Sequence, residues 1–182
     1  MQYFINGSRL RNTSLPVRLT LSWFLVFVVV GFGTNLAILL WKTGLTPDGI
    51  AHYYRGFEPP PGSMEDLHYP KEARELLENL HFHVFIVPML LLVVTHVFFM
   101  TRASERIKVL TTTLVYAAAL ADLAAPFLVR FVGEGFAWWK IGSSLLFHGA
   151  LLHQSFFCLY DAWSTPPPAD RSGTFPADAE FG

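Results

Sequence analysis

The sequence predicts an all-α integral membrane protein, built as a four-helix bundle. Only 15% of its 182 residues are charged and 52% are hydrophobic, whereas a soluble domain carries about a quarter charged residues. The apolar residues are concentrated in four blocks, each of about 20 residues, the length that an α-helix needs to cross a bilayer. Because lipid covers apolar surface, such blocks need no soluble-type core, and each is interpreted as a spanning helix.

The first apolar block, residues 19–41, contains no charged residue and lies between Arg18 and Lys42. It is longer than the apolar segment of a secretion signal, which runs to roughly 7–15 residues. We therefore interpret it as an uncleaved membrane anchor, preceded by a basic leader over residues 1–18.

A long acidic loop, residues 42–79, follows the first block and holds seven acids and four bases. Thr46 and Pro47 predict the start of a helix, because threonine is a good N-cap and proline suits the first helical position. Gly56 predicts the end of that helix, which is amphipathic and is expected at the membrane surface. Further on, the stretch KEARELLEN has high helix propensity and is expected to continue into the second spanning helix.

The remaining predicted helices cover residues 80–101, 109–129 and 141–160. Together with the first helix they form one transmembrane domain over residues 19–161. The tail, residues 162–182, is rich in Pro, Ala, Asp and Ser without periodicity, which predicts a mobile segment.

Charge in the short loops predicts the orientation of the chain. The leader and the turn between the second and third helices together hold six basic residues and one acid, and basic residues in short loops favour the cytoplasmic side. Four helices that alternate from a cytoplasmic N-terminus give an N-in, C-in topology. The leader and tail are then cytoplasmic, and the long loop between the first two helices lies on the outer side.

Composition also excludes several classes of function. Cys158 is the only cysteine, so the chain has no internal disulfide, no CxxC redox pair and no CxxCH attachment site for a c-type haem. The net charge of −1 and the absence of a basic run give no support for nucleic-acid binding. The sequence contains no GxGxxG, P-loop or HExxH motif. With no catalytic constellation, we expect at most a non-catalytic electron-transfer subunit of an oxidoreductase complex.

Histidines are the functional candidates, because ionisable groups inside a membrane helix are costly and usually serve a purpose. His81, His83 and His96 lie in the second helix, and His148 and His153 in the fourth. These two helices run in the same direction and are expected to be diagonal across the bundle. Judged by depth, His96 and His153 match within roughly 4–5 Å, and His83 (or His81) and His148 within roughly 7–8 Å. His96 and His153 are therefore the preferred axial ligands of a haem iron, and His83 and His148 the second couple.

Asp122 is the acidic residue of the third helix. Its predicted depth equals that of His148, and an Asp–His pair would offset much of the cost of burying the carboxylate. Arg130 is the alternative partner. Either a structural pair or a proton-linked and quinone-linked role is consistent with this placement.

The spacing between His83 and His96 on one helix resembles that of the membrane-embedded b-type cytochromes, in which two such histidines face two on a diagonal helix. The resemblance implies haem b, and electron transfer between a quinone or other donor and a periplasmic redox partner. His148 and His153 are much closer together in the sequence, so one haem is expected rather than two. The layout, with HYYRG in the outer loop and HFH opening the second helix, also resembles small bacterial membrane proteins that accompany multihaem c-type cytochromes. This implies a multi-pass protein of the bacterial inner membrane whose partners are other membrane subunits and a c-type cytochrome.

Three alternatives remain open. The first is a cofactor-free accessory or assembly subunit, whose small-residue strip of Gly31, Gly33 and Ala37 would serve for close packing with partner helices. The second is a copper site of imidazole and thioether groups in the second helix. The third is a transporter, although the sequence shows no inverted repeat.

Overall fold

The computed structural model describes residues 9–61 and 67–164, and in that part of the chain every regular element is helical. The predicted all-α class is therefore confirmed. Five α-helices are present: α1 (Leu15–Thr43), α2 (Pro47–Arg55), α3 (Ala73–Phe99), α4 (Glu105–Phe127) and α5 (Ala137–Trp163). A π-helical turn, Leu128–Val132, extends α4, and short 3-10 turns occur at Leu10–Asn12 and Glu134–Phe136.

Three of these elements are long and apolar enough to span a membrane: α1, α3 and the segment Glu105–Val132. Their most apolar windows have mean hydropathies of 2.3, 2.3 and 1.6. Helix α5 has 27 residues, a length of about 40 Å, but it is more polar than the other three. Its polar side chains are largely buried, and they include Lys140, Ser143, Ser144, His148, Gln154, Ser155 and Asp161.

Helix α5 is the central helix of the protein and packs against α1, α3 and α4. The sequence placed the helices now named α3 and α5 diagonally, and this expectation is wrong: they pack directly on each other. Leu91, Val94 and Phe98 of α3 belong to the same buried core as Leu151 and Cys158 of α5. The physical reason is that the helix with most polar residues is shielded from lipid best when apolar helices surround it.

Most helices extend beyond the ranges that the sequence predicted. Helix α1 begins at Leu15 rather than residue 19, α3 begins at Ala73 rather than 80, and α5 begins at Ala137 rather than 141. The predictions followed the apolar blocks, whereas backbone hydrogen bonding continues into the polar residues beside them. The predicted mobile tail lies, from residue 165 onward, outside the described residues.

The short helix α2 closes one end of the protein, which we call the α2 end. Its predicted boundaries are confirmed, since Thr46 accepts a hydrogen bond from the Gly49 amide and Gly56 ends the helix with a φ of 85°. Ile50 and Tyr54 are buried against residues of α3 and α5. Gly49 allows α2 to approach the end of α1 closely, because a Cβ atom there would lie 1.9 Å from the backbone oxygen of Thr43.

Candidate cofactor site

A cavity of about 620 Å³ lies beneath α2 and is lined by residues of α1, α2, α3, α4 and α5. Aromatic and aliphatic side chains form most of its wall. Its polar lining includes Asn35, His83, Asp122, Lys140, Ser144 and His148. Three of the five residues that the sequence predicted as site residues, His83, His148 and Asp122, therefore border the same cavity.

His83 and His148 lie on two helices that pack directly on each other, and both border the cavity. Contacts farther along give the register of these helices: the Phe98 and Phe157 rings lie 5.8 Å apart, and Arg102 pairs with Asp161. Both contacts join residues that are 59 apart in number (157 − 98 and 161 − 102), whereas His83 and His148 are 65 apart (148 − 83). The difference of six residues corresponds to about 9 Å along a helix.

Both imidazoles are held by their Nδ1 atoms. The Nδ1 atom of His83 lies 2.8 Å from the backbone oxygen of Asn79, and that of His148 lies 2.7 Å from the backbone oxygen of Ser144. Because a carbonyl oxygen can only accept, Nδ1 carries the hydrogen in each ring, and Nε2 has a free electron pair. A histidine that ligates a metal through one nitrogen commonly donates from the other to such a carbonyl.

The environment of His148 is more enclosed than that of His83. The side chain of His148 is 2% exposed, and the Phe32 and Phe147 rings meet it edge-on at 5.6 and 5.5 Å. The amide nitrogen of Asn35 lies 3.3 Å from its Nε2 and donates to that atom. The electron pair of Nε2 of His148 therefore points toward Asn35.

The preferred couple of the sequence analysis is placed differently. The side chains of His96 and His153 are exposed on the outer surface of their helices and do not line the cavity. The nearby contacts Phe98–Phe157 and Arg102–Asp161 join residues that are 59 apart in number, and His96 and His153 are 57 apart (153 − 96), so they differ in depth by about 3 Å. His81 is also exposed, with Phe85 at 5.4 Å.

Asp122 forms a buried ion pair with Lys140, with 2.7 Å between Oδ1 and Nζ. The Ser144 hydroxyl donates to the same oxygen, and Ser143 lies 3.4 Å from it. The predicted partners of Asp122, His148 and Arg130, are therefore wrong. The fourth helix was predicted to begin at residue 141, which left Lys140 outside it, whereas α5 begins at Ala137, so Lys140 lies in its first turn and is buried.

Ser144 links the ion pair to the buried histidine. Its hydroxyl donates to Asp122 and its backbone oxygen accepts from Nδ1 of His148. The cavity wall therefore carries a continuous polar network from Lys140 through Asp122 and Ser144 to His148 and Asn35.

Tyr54 adds a neutral donor at the α2 end of the cavity. Burial raises the pKa of its hydroxyl far above the ordinary value, and the neighbouring Tyr53 and Asp122 raise it further. The hydroxyl of Tyr54 therefore stays protonated throughout the physiological pH range.

No group of three or more His, Cys, Asp or Glu residues in residues 9–61 and 67–164 is arranged to hold a bare metal ion. His52 of α2 and His68, in the segment before α3, have structural contacts. The ring of His52 stacks on Phe57 at 4.3 Å, and His68 pairs with the Phe57 backbone in an isolated bridge.

Residues 44–169 match the family model of Aq_1264_TM, described as a transmembrane helical domain. The match covers more than half of the chain and runs from the residue after α1 to beyond the end of α5. The chain therefore belongs to this family, which confirms the predicted transmembrane helices. No curated protein and no solved structure matches the chain.

Proposed function

We propose that this member of the transmembrane helical domain family binds one b-type haem between His83 and His148. The haem would make the protein an electron-transfer subunit of a larger membrane complex. One observation carries the proposal: two imidazoles border one cavity, and in each of them a backbone oxygen holds Nδ1, which leaves Nε2 as the ligating atom. Haem iron accepts two axial nitrogen ligands of this kind.

The cavity also suits the porphyrin of the proposed haem. Its volume of about 620 Å³ lies within the range of roughly 300–1,000 Å³ common for cofactor and ligand pockets. Its largely apolar wall would enclose the macrocycle between helices. When bound, the iron supplies one-electron chemistry, while His83 and His148 hold and orient it. Asn35 would release Nε2 of His148 on loading, since one electron pair cannot serve both partners.

Asp122 is the proposed proton-linked residue. Its carboxylate borders the cavity, and Lys140 and Ser144 hold it in place. A quinone that exchanges electrons with the protein also exchanges protons, and intramembrane carboxylates often serve in such relays.

The proposed topology has all four long helices crossing the membrane as a four-helix bundle, N-in and C-in. The length of α5, about 40 Å, exceeds the roughly 30 Å of the hydrocarbon core, and its polar residues face inward. The turn after α3 and the first turn of α4 carry the bases Arg102, Arg106 and Lys108, which favours the cytoplasmic side of a bacterial inner membrane. The α2 end would then face a periplasmic redox partner such as a c-type cytochrome.

A second candidate is a cofactor-free accessory or assembly subunit. One observation favours it: only 11% of the apolar window of α1 is buried, compared with 33% for α3 and for α4. Helix α1 also lies outside the range that matches the family. Helix α1 is therefore the surface against which other membrane subunits would pack.

The test is the absorption spectrum of the protein purified in mild detergent, oxidised and dithionite-reduced, with a pyridine haemochrome assay. We expect a sharp reduced α-band and one haem per chain. His83→Ala and His148→Ala should lose the haem or its six-coordinate spectrum, because each removes an axial ligand. His96→Ala and His153→Ala are matched controls on the same two helices and should keep the wild-type spectrum.

Two outcomes would count against the proposal. If membranes and purified protein are both colourless, the accessory-subunit function becomes the leading candidate. If His96→Ala or His153→Ala abolishes the spectrum while His83→Ala and His148→Ala keep it, the haem is bound outside the cavity by the other couple.

A further inference from the structure

A cluster of polar atoms lies in the core on the side of His148 away from the α2 end. The side chains of Gln154 and Ser155 are 0% exposed and that of Thr95 is 4% exposed. Both polar atoms of the Gln154 amide and the hydroxyl oxygens of Ser155, Thr95 and Thr112 have no hydrogen-bond partner among the described residues. We call these four residues the Gln154 cluster.

The members of the Gln154 cluster come from three helices but share a similar depth. The Phe98 and Phe157 rings of α3 and α5 lie 5.8 Å apart, and the same difference of 59 in number relates Thr95 to Gln154 (154 − 95). Asp122 of α4, which runs in the opposite direction to α5, contacts Ser144. Thr112 lies ten residues before Asp122 and Gln154 ten residues after Ser144, so both lie about 15 Å beyond this contact, on the side away from the α2 end. Since α5 packs directly on α3 and on α4, these groups surround a common region.

The neutral donors and acceptors of the Gln154 cluster indicate which ligand it would bind. A buried polar group without a partner is strongly unfavourable, above all where lipid rather than water surrounds the protein. The cluster is neutral and offers amide and hydroxyl donors together with amide and hydroxyl acceptors. Buried water typically makes about three hydrogen bonds to such groups. A metal ion is less suited, because the cluster contains no charged ligand.

We propose that the Gln154 cluster binds internal water between α3, α4 and α5. On α5, Gln154 lies six residues from His148 and seven from the fully buried Asp161, that is, about 9 and 10 Å along the helix. Bound water at this position extends the polar groups of α5 from the cavity toward Asp161 and its neighbour Arg102, whose Nε lies 3.2 Å from the carboxylate. The water site is independent of haem binding.

The chain contains its own reporter for this water. Cys158 is the only cysteine, is 0% exposed and lies one helical turn after Gln154. Synchrotron X-ray pulses generate hydroxyl radicals from bound water in place, so a buried cysteine is oxidised only if water lies beside it. Mass spectrometry then measures the oxidation rate of Cys158 in the wild type and in Gln154→Leu, with maleimide as a check that bulk reagent does not reach the thiol.

We expect Cys158 to be oxidised several-fold faster in the wild type than in Gln154→Leu. Thr112→Val preserves the shape of the side chain and should lower the rate to a smaller extent, whereas Thr113→Val, an exposed neighbour on α4, should leave it unchanged. Equal rates in the wild type, Gln154→Leu and Thr112→Val would overturn the proposal. Thr112→Val keeps the test valid if Gln154→Leu does not fold, and the haem spectrum reports separately on the proposed function.

Discussion

The two histidine couples of α3 and α5 show how one pair of helices can place chemically identical side chains in opposite environments. His83 and His148 border the cavity and are held through Nδ1. His96 and His153 are exposed on the outer surface of their helices. The difference follows from helical geometry, because the second histidine on each helix is rotated by about 140° relative to the first.

This rotation makes the two couples alternatives rather than two equivalent sites. When His83 and His148 face inward, His96 and His153 must face largely outward on the same helices. The inward couple also has supporting residues, namely Asn35, Ser144 and the ion pair beside it. A ligand site is thus recognised by the groups that orient its side chains as well as by the ligands themselves.

The largest effect on stability is expected from breaking the ion pair beside the inward couple. Lys140→Met should lower the free energy of unfolding by about 3–5 kcal/mol, because it leaves the Asp122 carboxylate buried without its partner. The measurement is an SDS titration followed by tryptophan fluorescence. The double variant Asp122→Asn with Lys140→Met should recover much of the loss, and an unchanged single variant would show that the pair does not contribute.

A smaller effect is expected from the residue that links the ion pair to His148. Ser144→Ala removes a hydrogen bond to a charged group and should cost about 1.5–3 kcal/mol. Ser143→Ala is the matched control, since its hydroxyl lies 3.4 Å from the same carboxylate oxygen, and it should cost less in the same titration. Equal losses would mean that Ser144 has no special role in the network.

The next prediction concerns the packing of α2, which closes the end of the protein that contains the cavity. Gly49→Ala should cost about 1–3 kcal/mol as an overpacking change, because the new Cβ would meet the Thr43 carbonyl. Hydrogen exchange should rise in α2 and stay unchanged in the turn between α3 and α4. Gly142→Ala, where a Cβ would have no atom within 4 Å, is the control and should be neutral.

The smallest effect is expected on the outward couple. His153→Leu should change the free energy of unfolding by no more than about 0.5 kcal/mol, since its side chain is exposed. Any change should be stabilising, because leucine is the less costly residue at a lipid-facing position. A loss as large as that of Ser144→Ala would indicate that His153 makes a contact that its exposed position does not suggest.

Much of the fold could be predicted from particular residues. The charge-free block of α1 and the high helix propensity before α3 predicted those helices, and Thr46, Pro47 and Gly56 predicted the boundaries of α2. These features are local, so they act in the same way in any surrounding structure. The candidate site was predicted less well, because depth alone was used to pair the histidines. The angle around each helix, which is also contained in the spacing, would have shown that the two couples face different sides.

The sequence by itself determined that this is an all-α protein with membrane-spanning helices, and that five of its histidines and Asp122 lie within its long helices. Only the tertiary structure decided which histidines face the cavity and that Lys140, rather than His148 or Arg130, pairs with Asp122. The reason is that local propensity and hydropathy locate a helix along the chain to within several residues, but they do not determine how the helix is rotated about its axis. Rotation is set by packing, and here the central position of α5 turns its polar side chains away from lipid and into the protein.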